Sequence, residues 1–139
     1  MQSEDSRLVV FACDFFKVKA KLLLDLHGLC DAVYDRGAFE AIFETDRKAY
    51  IQAILSFLQP ADFRYIVNCF EYDEQEDFKG PPRACPRAEM FQLFNGHTLQ
   101  PSKLTTNTEI LSIEDYTDYG KKWNLKAMTK IVYGIKPSK

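Results

Sequence analysis

The first apolar block, Leu8 to Phe16 (LVVFACDFF), is nearly continuous and rich in β-branched and aromatic residues. A run without alternation predicts a strand buried on both faces, as in a parallel sheet. Lys17 to Gly28 mixes Leu22, Leu23, Leu24 and Leu26 with lysines, and predicts a short helix closed by Gly28. Cys30 to Tyr34 predicts a second buried strand, which drops directly into Asp35-Arg36-Gly37. The clearest helical period runs from Thr45 to Leu58, where Tyr50, Ile54, Phe57 and Leu58 share one face with Ile51 and Leu55 beside them. Thr45 is the expected cap of that helix, Asp46 suits its dipole, and Pro60 ends it. Phe63 to Tyr72 (FRYIVNCFEY) predicts a third strand.

Glu74 to Cys85 reads as a loop, acidic at first and then Gly80-Pro81-Pro82. Pro86 to Phe94 predicts a short helix, with proline at its start and Gly96 past its end. His97 to Asn107 is polar and reads as a surface loop. Two further strands are expected at Thr108 to Ile113 and Lys126 to Ile135. The connection between them carries Tyr116, Tyr119 and Trp123, and a long aromatic connection of this kind is more often functional than a tight turn. The order of elements predicts an α/β fold, with a mostly parallel sheet and an antiparallel C-terminal end, in a single domain over residues 1–139. A charged pair and a glycine at the carboxyl end of a strand is where such sheets place ligands, so Asp35-Arg36-Gly37 is the first candidate site.

Composition narrows the function. With 18 Lys and Arg against 20 Asp and Glu, the chain has no basic excess for nucleic acid or an anionic membrane surface. Aromatic residues make up 14% of the chain, enough for an aromatic core or for an aromatic-walled pocket. Cys13, Cys30, Cys69 and Cys85 form no CxxC pair and are expected to be buried free thiols. Neither a signal peptide nor a run of transmembrane length is present, so the expected setting is cytoplasmic. His27 and His97 are isolated and read as surface or loop residues, with no metal site implied.

CDAVYDRGAFEAI, then DRKAYIQAILSFLQP, FRYIVNCFEYD and KGPPRACPRAEMFQLF, occur in an order that resembles the thiopurine S-methyltransferase family, colinear from about Leu8 to the end. The resemblance implies a Rossmann-like class I methyltransferase fold, S-adenosyl-L-methionine as methyl donor, and a small thiol or heterocyclic thiol as acceptor. It also implies that the family's first strands, with a glycine-rich cofactor turn, have no counterpart here, since no GxGxxG-like stretch occurs. The chain is therefore expected to correspond to the C-terminal part of the family's fold. On that reading the isolated chain is impaired in cofactor binding. The alternative is a non-catalytic module that associates with a full-length homologue or another partner through an exposed sheet edge.

The resemblance assigns roles to individual residues. Asp14 and Phe15 match contacts to the adenine end of the cofactor, although Asp14 stands where a small polar residue is expected; their other reading is a strand end and a core ring. Arg36 matches a residue facing both cofactor and acceptor, where a guanidinium would stabilise and orient a thiolate; its other reading is a simple pair with Asp35. Pro81 and Pro82 match a rigid, extended wall of the acceptor pocket, or else form only a stiff connection. Tyr119 stands where the family can place an arginine before the tryptophan, and a tyrosine supplies no fixed positive charge. Glu71 to Asp77 reads as a solvated acidic loop.

Overall fold

The structure is a computed structural model, and it describes residues 14–17, 25, 28–73, 77–100 and 102–138. Five strands, β1 (Ala32–Asp35), β2 (Arg64–Glu71), β3 (Thr98–Leu99), β4 (Leu104–Asp115) and β5 (Thr129–Pro137), form one sheet in the order β1-β2-β5-β4-β3. β1 and β2 are parallel, with Asp35 opposite Val67. The pairings β2–β5, β5–β4 and β4–β3 are antiparallel. The α/β class with an antiparallel C-terminal end is thus as expected, and among the described residues β1 and β2 carry its parallel part.

Alternate residues of a strand share a face, and here one face is apolar throughout. Tyr65, Val67 and Cys69 of β2 and Ile131, Tyr133 and Ile135 of β5 are all buried. Two helices cover them, α1 (Glu44–Phe57) through Tyr50, Ile51 and Ile54, and α2 (Arg87–Phe94) through Met90, Leu93 and Phe94. On the opposite face Tyr34 lies beside Ile66, and Ile66 beside Gly134. A side chain at Gly134 would meet Leu111 at 3.2 Å, so the glycine lets Leu111 lie across the sheet beside the bulge between Ile110 and Ser112.

Several expectations are corrected. β1 is not buried on both faces: Tyr34 is 67% exposed, because among the described residues β1 pairs only with β2. Cys30, just before it, is exposed, whereas Cys69 and Cys85 are buried as expected. The helix α1 starts one residue before Thr45, with Phe43 as its cap position, so Thr45 lies inside the first turn and caps nothing. His97 to Asn107 is no surface loop. Its threonines serve as strand residues of the β3–β4 hairpin, and buried Thr106 donates its hydroxyl to the Phe94 carbonyl at the end of α2. His97 is half-buried, its ring nitrogen Nε2 against the Leu93 carbonyl. Glu71 is not a merely solvated acid: it accepts the Arg87 backbone N–H at 2.7 Å, supplying the start of α2 with the anion that its dipole favours. The run from Leu8 lies mainly outside the described residues, and its described end, Asp14 to Lys17, is a turn closed by the Lys17 N–H on the Asp14 carbonyl. Lys17 to Gly28 lies almost wholly outside them too, as do Cys13 and His27.

Two buried charges hold the carboxyl end of β1 and the loop after β2. Asp35, 4% exposed, accepts the Phe39 N–H at 3.0 Å, the Tyr50 hydroxyl at 2.7 Å and the Tyr65 hydroxyl at 2.9 Å. Burial, followed by the Asp35 charge, raises the pKa of Tyr50 and of Tyr65, so both remain donors throughout the neutral range. Arg47, with no exposed surface, donates to Glu89 Oε1 and to the Ala84 carbonyl, both at 2.7 Å, and lies over the Phe39 ring. A guanidinium at that depth needs its carboxylate.

Replacing Asp35 by Ala strands two buried hydroxyls and an N–H, and is expected to cost about 3–5 kcal/mol in urea unfolding, with Asp35→Asn costing less. Glu89→Ala leaves the Arg47 charge uncompensated. It is expected to cost about 2–3 kcal/mol in the same measurement, although Glu89 lies partly at the surface.

Candidate active site

The strand register gathers three loops at one end of the sheet. β1 and β2 run parallel, so Arg36 and the segment after Glu71 leave from the same end. Glu71 pairs with Thr129, and Thr129 with Asp115, which brings the Asp115–Thr129 connection to that end as well. This is the carboxyl edge of the parallel strands, where open α/β sheets bind ligands.

Arg36 follows Asp35 directly and is exposed. The Asp35 carboxylate is taken up by Tyr50, Tyr65 and the Phe39 N–H, so the two residues do not simply pair. Among the described residues Arg36 has no ion-pair partner, and its guanidinium is available to an anion. Gly37, at φ 98°, takes the left-handed conformation that turns the chain into the 3-10 turn Phe39–Ala41. Phe39 plunges into the core, and Glu40 stays at the edge. One Glu40 carboxylate oxygen, Oε2, is buried without a hydrogen-bond partner. Burial, and then the Asp35 charge, lift the Glu40 pKa above the ordinary carboxylate value, while Arg36 and Lys130 pull it back.

Gly80-Pro81-Pro82 is not the extended wall expected from its prolines. An added Cβ at Gly80 would lie 2.8 Å from the Arg83 nitrogen and from Pro82, so the segment folds back on itself. Both Gly80–Pro81 and Pro81–Pro82 peptide bonds are cis. Pro82 is buried and its carbonyl accepts the Tyr72 hydroxyl at 2.8 Å; Pro81 is exposed. The Arg83 N–H reaches the Glu40 carbonyl at 2.8 Å, which ties this loop to the turn carrying Arg36. The Arg83 guanidinium lies 3.7 Å over the Phe43 ring. A small cavity of about 170 Å³ beside the loop is lined by Tyr72, Phe78, Lys79 and Arg83 rather than by the prolines themselves. It is smaller than the roughly 300–1,000 Å³ of pockets that enclose whole ligands.

The connection between β4 and β5 folds as a short helix, Thr117–Gly120, and a 3-10 turn, Lys121–Trp123. Its rings form a ladder: Tyr116 to Tyr119 at 5.5 Å, Tyr119 edge-on to Trp123 at 5.1 Å, and Trp123 stacked on Phe78 at 4.8 Å. The Phe78 stack joins this ladder to the proline loop. Lys122 sets its ammonium 3.5 Å over the Tyr119 ring, so a positive charge stands beside the tyrosine after all. Lys130, paired with Glu114, lies over Tyr116.

Arg36, Pro81, Pro82 and Tyr119 therefore share one end of the sheet. Asp14 and Phe15 make other contacts. Asp14 accepts the Phe16 N–H and pairs with Lys17 at 3.0 Å, while Phe15 packs half-buried on Tyr50 at 5.1 Å and on Phe57. Phe15 packs on Tyr50, whose hydroxyl bonds Asp35, the residue before Arg36. Glu40, Phe78, Arg83 and Lys130 are site residues that sequence reasoning missed. Glu40 and Arg83 lie inside two of the segments already singled out, CDAVYDRGAFEAI and KGPPRACPRAEMFQLF, and Phe78 just before the second, but their placing depends on contacts between distant segments. Among the described residues no cluster of His, Cys, Asp or Glu is arranged to hold a metal, and no helix is long and apolar enough to cross a membrane.

Comparison with known proteins gives the site its context. The family model for thiopurine S-methyltransferase matches residues 1–136. A probable thiopurine S-methyltransferase of Danio rerio is 27% identical over 133 residues, covering 95% of this chain and 51% of the relative. The thiopurine S-methyltransferase of Bos taurus is 26% identical over 133 residues, covering 95% and 49%. That of Oryctolagus cuniculus is 31% identical over 94 residues, covering 68% and 36%. The chain spans about half the length of the first two relatives. With nearly every residue matched by the family model, the chain belongs to the thiopurine S-methyltransferase family.

Proposed function

We propose that the carboxyl edge of this sheet is the acceptor side of a methyl-transfer site, acting on a small thiol or heterocyclic thiol with S-adenosyl-L-methionine as donor. One observation carries the reading: a guanidinium without an ion pair, Arg36, follows the carboxyl end of a parallel strand, at the same end of the sheet as an aromatic ladder. Transfer of a methyl group from sulfur to sulfur is an in-line displacement, so the protein has to position the acceptor and exclude water more than it has to supply chemistry. Arg36 would hold the acceptor as its thiolate and orient it. Tyr119, Trp123 and Phe78 would pack against its ring or chain, and Pro81-Pro82 would back the loop that presents Phe78 and Arg83.

The described residues fit the donor in part. Phe15 offers a half-buried ring for the adenine, while both Asp14 oxygens are committed to Phe16 and Lys17. When bound, the donor supplies an electrophilic methyl group on a positively charged sulfur. Residues 1–139 contain no glycine-rich turn, so this chain by itself is proposed to bind the donor weakly, with full activity belonging to a protein that also has such a turn. A cytoplasmic setting is part of the same reading.

A second reading, a non-catalytic module that associates with a homologue, is favoured by the exposed Tyr34 and Leu111 on the sheet face opposite the helices. A stable larger species in size-exclusion chromatography with light scattering supports it, and a strict monomer counts against it.

Calorimetry of residues 1–139 with S-adenosyl-L-methionine is expected to show no micromolar binding; a micromolar Kd contradicts the weak-donor part of the reading. For the acceptor, Arg36→Gln is expected to weaken binding of an aromatic thiolate such as 4-nitrothiophenolate by about tenfold or more, as loss of a charge-assisted contact does. Unchanged thiolate affinity contradicts the role of Arg36.

A further inference from the structure

Glu40 is out of keeping with a site whose single purpose is to attract an anion. Its backbone carbonyl anchors the proline loop through Arg83, and its side chain is held at the edge where Arg36 emerges. Oε2 is shut off from solvent and bonded to nothing. Oε1 would stand 3.7 Å from a Cβ at Gly37, so the carboxylate lies back along the turn toward Arg36. The charged groups facing it are Asp35 from β1, Arg36 from the turn and Lys130 from β5. Lys130 is itself engaged by Glu114 and lies over Tyr116, and Asp35 is engaged by its three donors. None of these neighbours supplies Oε2 with the hydrogen-bonding partner that a buried carboxylate oxygen requires.

We propose that Glu40 is the proton-holding group of the acceptor site: it takes the acceptor's proton, and so matches the site to thiols that arrive protonated. This rests on the methyl-transfer reading and deepens it. In the step, the thiol S–H bond breaks and its proton passes to the Glu40 carboxylate through Oε1, the oxygen that is not shut off from solvent. The sulfur electron pair forms the new S–CH3 bond, and the S–CH3 bond of the sulfonium donor breaks, its electrons staying on the departing sulfide. Charge balances throughout: a carboxylate and a sulfonium become a neutral carboxylic acid and two neutral sulfides. Arg36 holds the developing thiolate on one side while Glu40 keeps the proton on the other. A carboxyl lifted toward neutrality by burial is suited to that exchange. The same arrangement has a consequence at equilibrium. A thiolate that is fully ionised in water cannot sit beside an ionised Glu40 without like-charge repulsion, so its binding must draw a proton onto Glu40.

Isothermal calorimetry of residues 1–139 with 4-nitrothiophenolate at neutral pH, run in two buffers of different ionisation enthalpy, reads this coupling directly. The wild-type chain is expected to take up a substantial fraction of one proton per thiolate bound, with affinity rising as pH falls. Glu40→Gln is expected to abolish the uptake and to bind the thiolate about tenfold more tightly at neutral pH, the equivalent of roughly one pKa unit of relieved repulsion. Thiolate binding with no proton uptake in the wild type, or with uptake unchanged in Glu40→Gln, overturns the assignment of Glu40 and leaves the pocket standing. No binding by either chain overturns the acceptor-site reading, and the assignment falls with it.

Discussion

The geometry of the carboxyl edge depends on the buried carboxylate of Asp35. Three donors converge on it from three elements: the Phe39 N–H from the turn after β1, the Tyr50 hydroxyl from α1 and the Tyr65 hydroxyl from β2. A buried charge is tolerable when its hydrogen-bonding capacity is filled, and filling it fixes where those elements end. The next residue along is Arg36. With Asp35 engaged on the inside, the arginine beside it is left exposed and in no close ion pair among the described residues, with Glu40 as the carboxylate that feels its charge. The charge that would have been quenched by its neighbour is kept for something else.

Arg47 does for the loop what Asp35 does for the strand. From the first turns of α1 it reaches Glu89 on α2 and the Ala84 carbonyl just after the proline pair. The Arg83 N–H then closes onto Glu40, and the Phe78–Trp123 stack joins the loop to the β4–β5 connection. Three segments far apart in the chain are thereby held at one edge, each by a specific polar or aromatic contact and not by hydrophobic packing alone. That suits a site whose task is to hold two reactants in line. Such a site gains from preorganised groups and loses from loose ones. The balance of charge there is mixed: Arg36 and Lys130 are set against Glu40, with Lys122 over Tyr119. This points away from a simple anion trap and toward an acceptor whose proton matters.

Much of the fold was legible in the sequence because its signals were local. The period of Tyr50, Ile54 and Phe57 gave α1, and Phe63 to Tyr72, apolar through Ile66-Val67, gave β2. The proline and glycine flanking residues 87–94 gave α2. What misled were patterns that mean different things in different surroundings. Ala32-Val33-Tyr34 reads as a buried strand whether or not a neighbour covers it. Thr105 and Thr106 read as loop although they are strand residues, and Thr106 donates its hydroxyl to the Phe94 carbonyl at the end of α2. In the site, Arg36 stood out because a charged residue at a strand end needs no distant contact to be noticed. Arg47 did not, since an arginine in a first helical turn looks like any solvated residue. Its burial is decided by Phe39, Ala84 and Glu89, none adjacent to it in sequence. Glu40 was hidden for the same reason: the turn that buries its carboxylate is closed by Arg83, more than forty residues away in the chain.

The central claim, that the carboxyl edge of β1 and β2 is the ligand face of this chain, is tested most directly by mapping backbone amide chemical shifts of residues 1–139 during titration with 4-nitrothiophenolate. The account predicts that shifts concentrate at Arg36 to Glu40, Phe78 to Ala84 and Tyr116 to Trp123. It also predicts that the β3–β4 hairpin, which sits at the far edge of the sheet, stays unmoved. Shifts centred on that hairpin, or spread over the sheet without focus at the carboxyl edge, would contradict it.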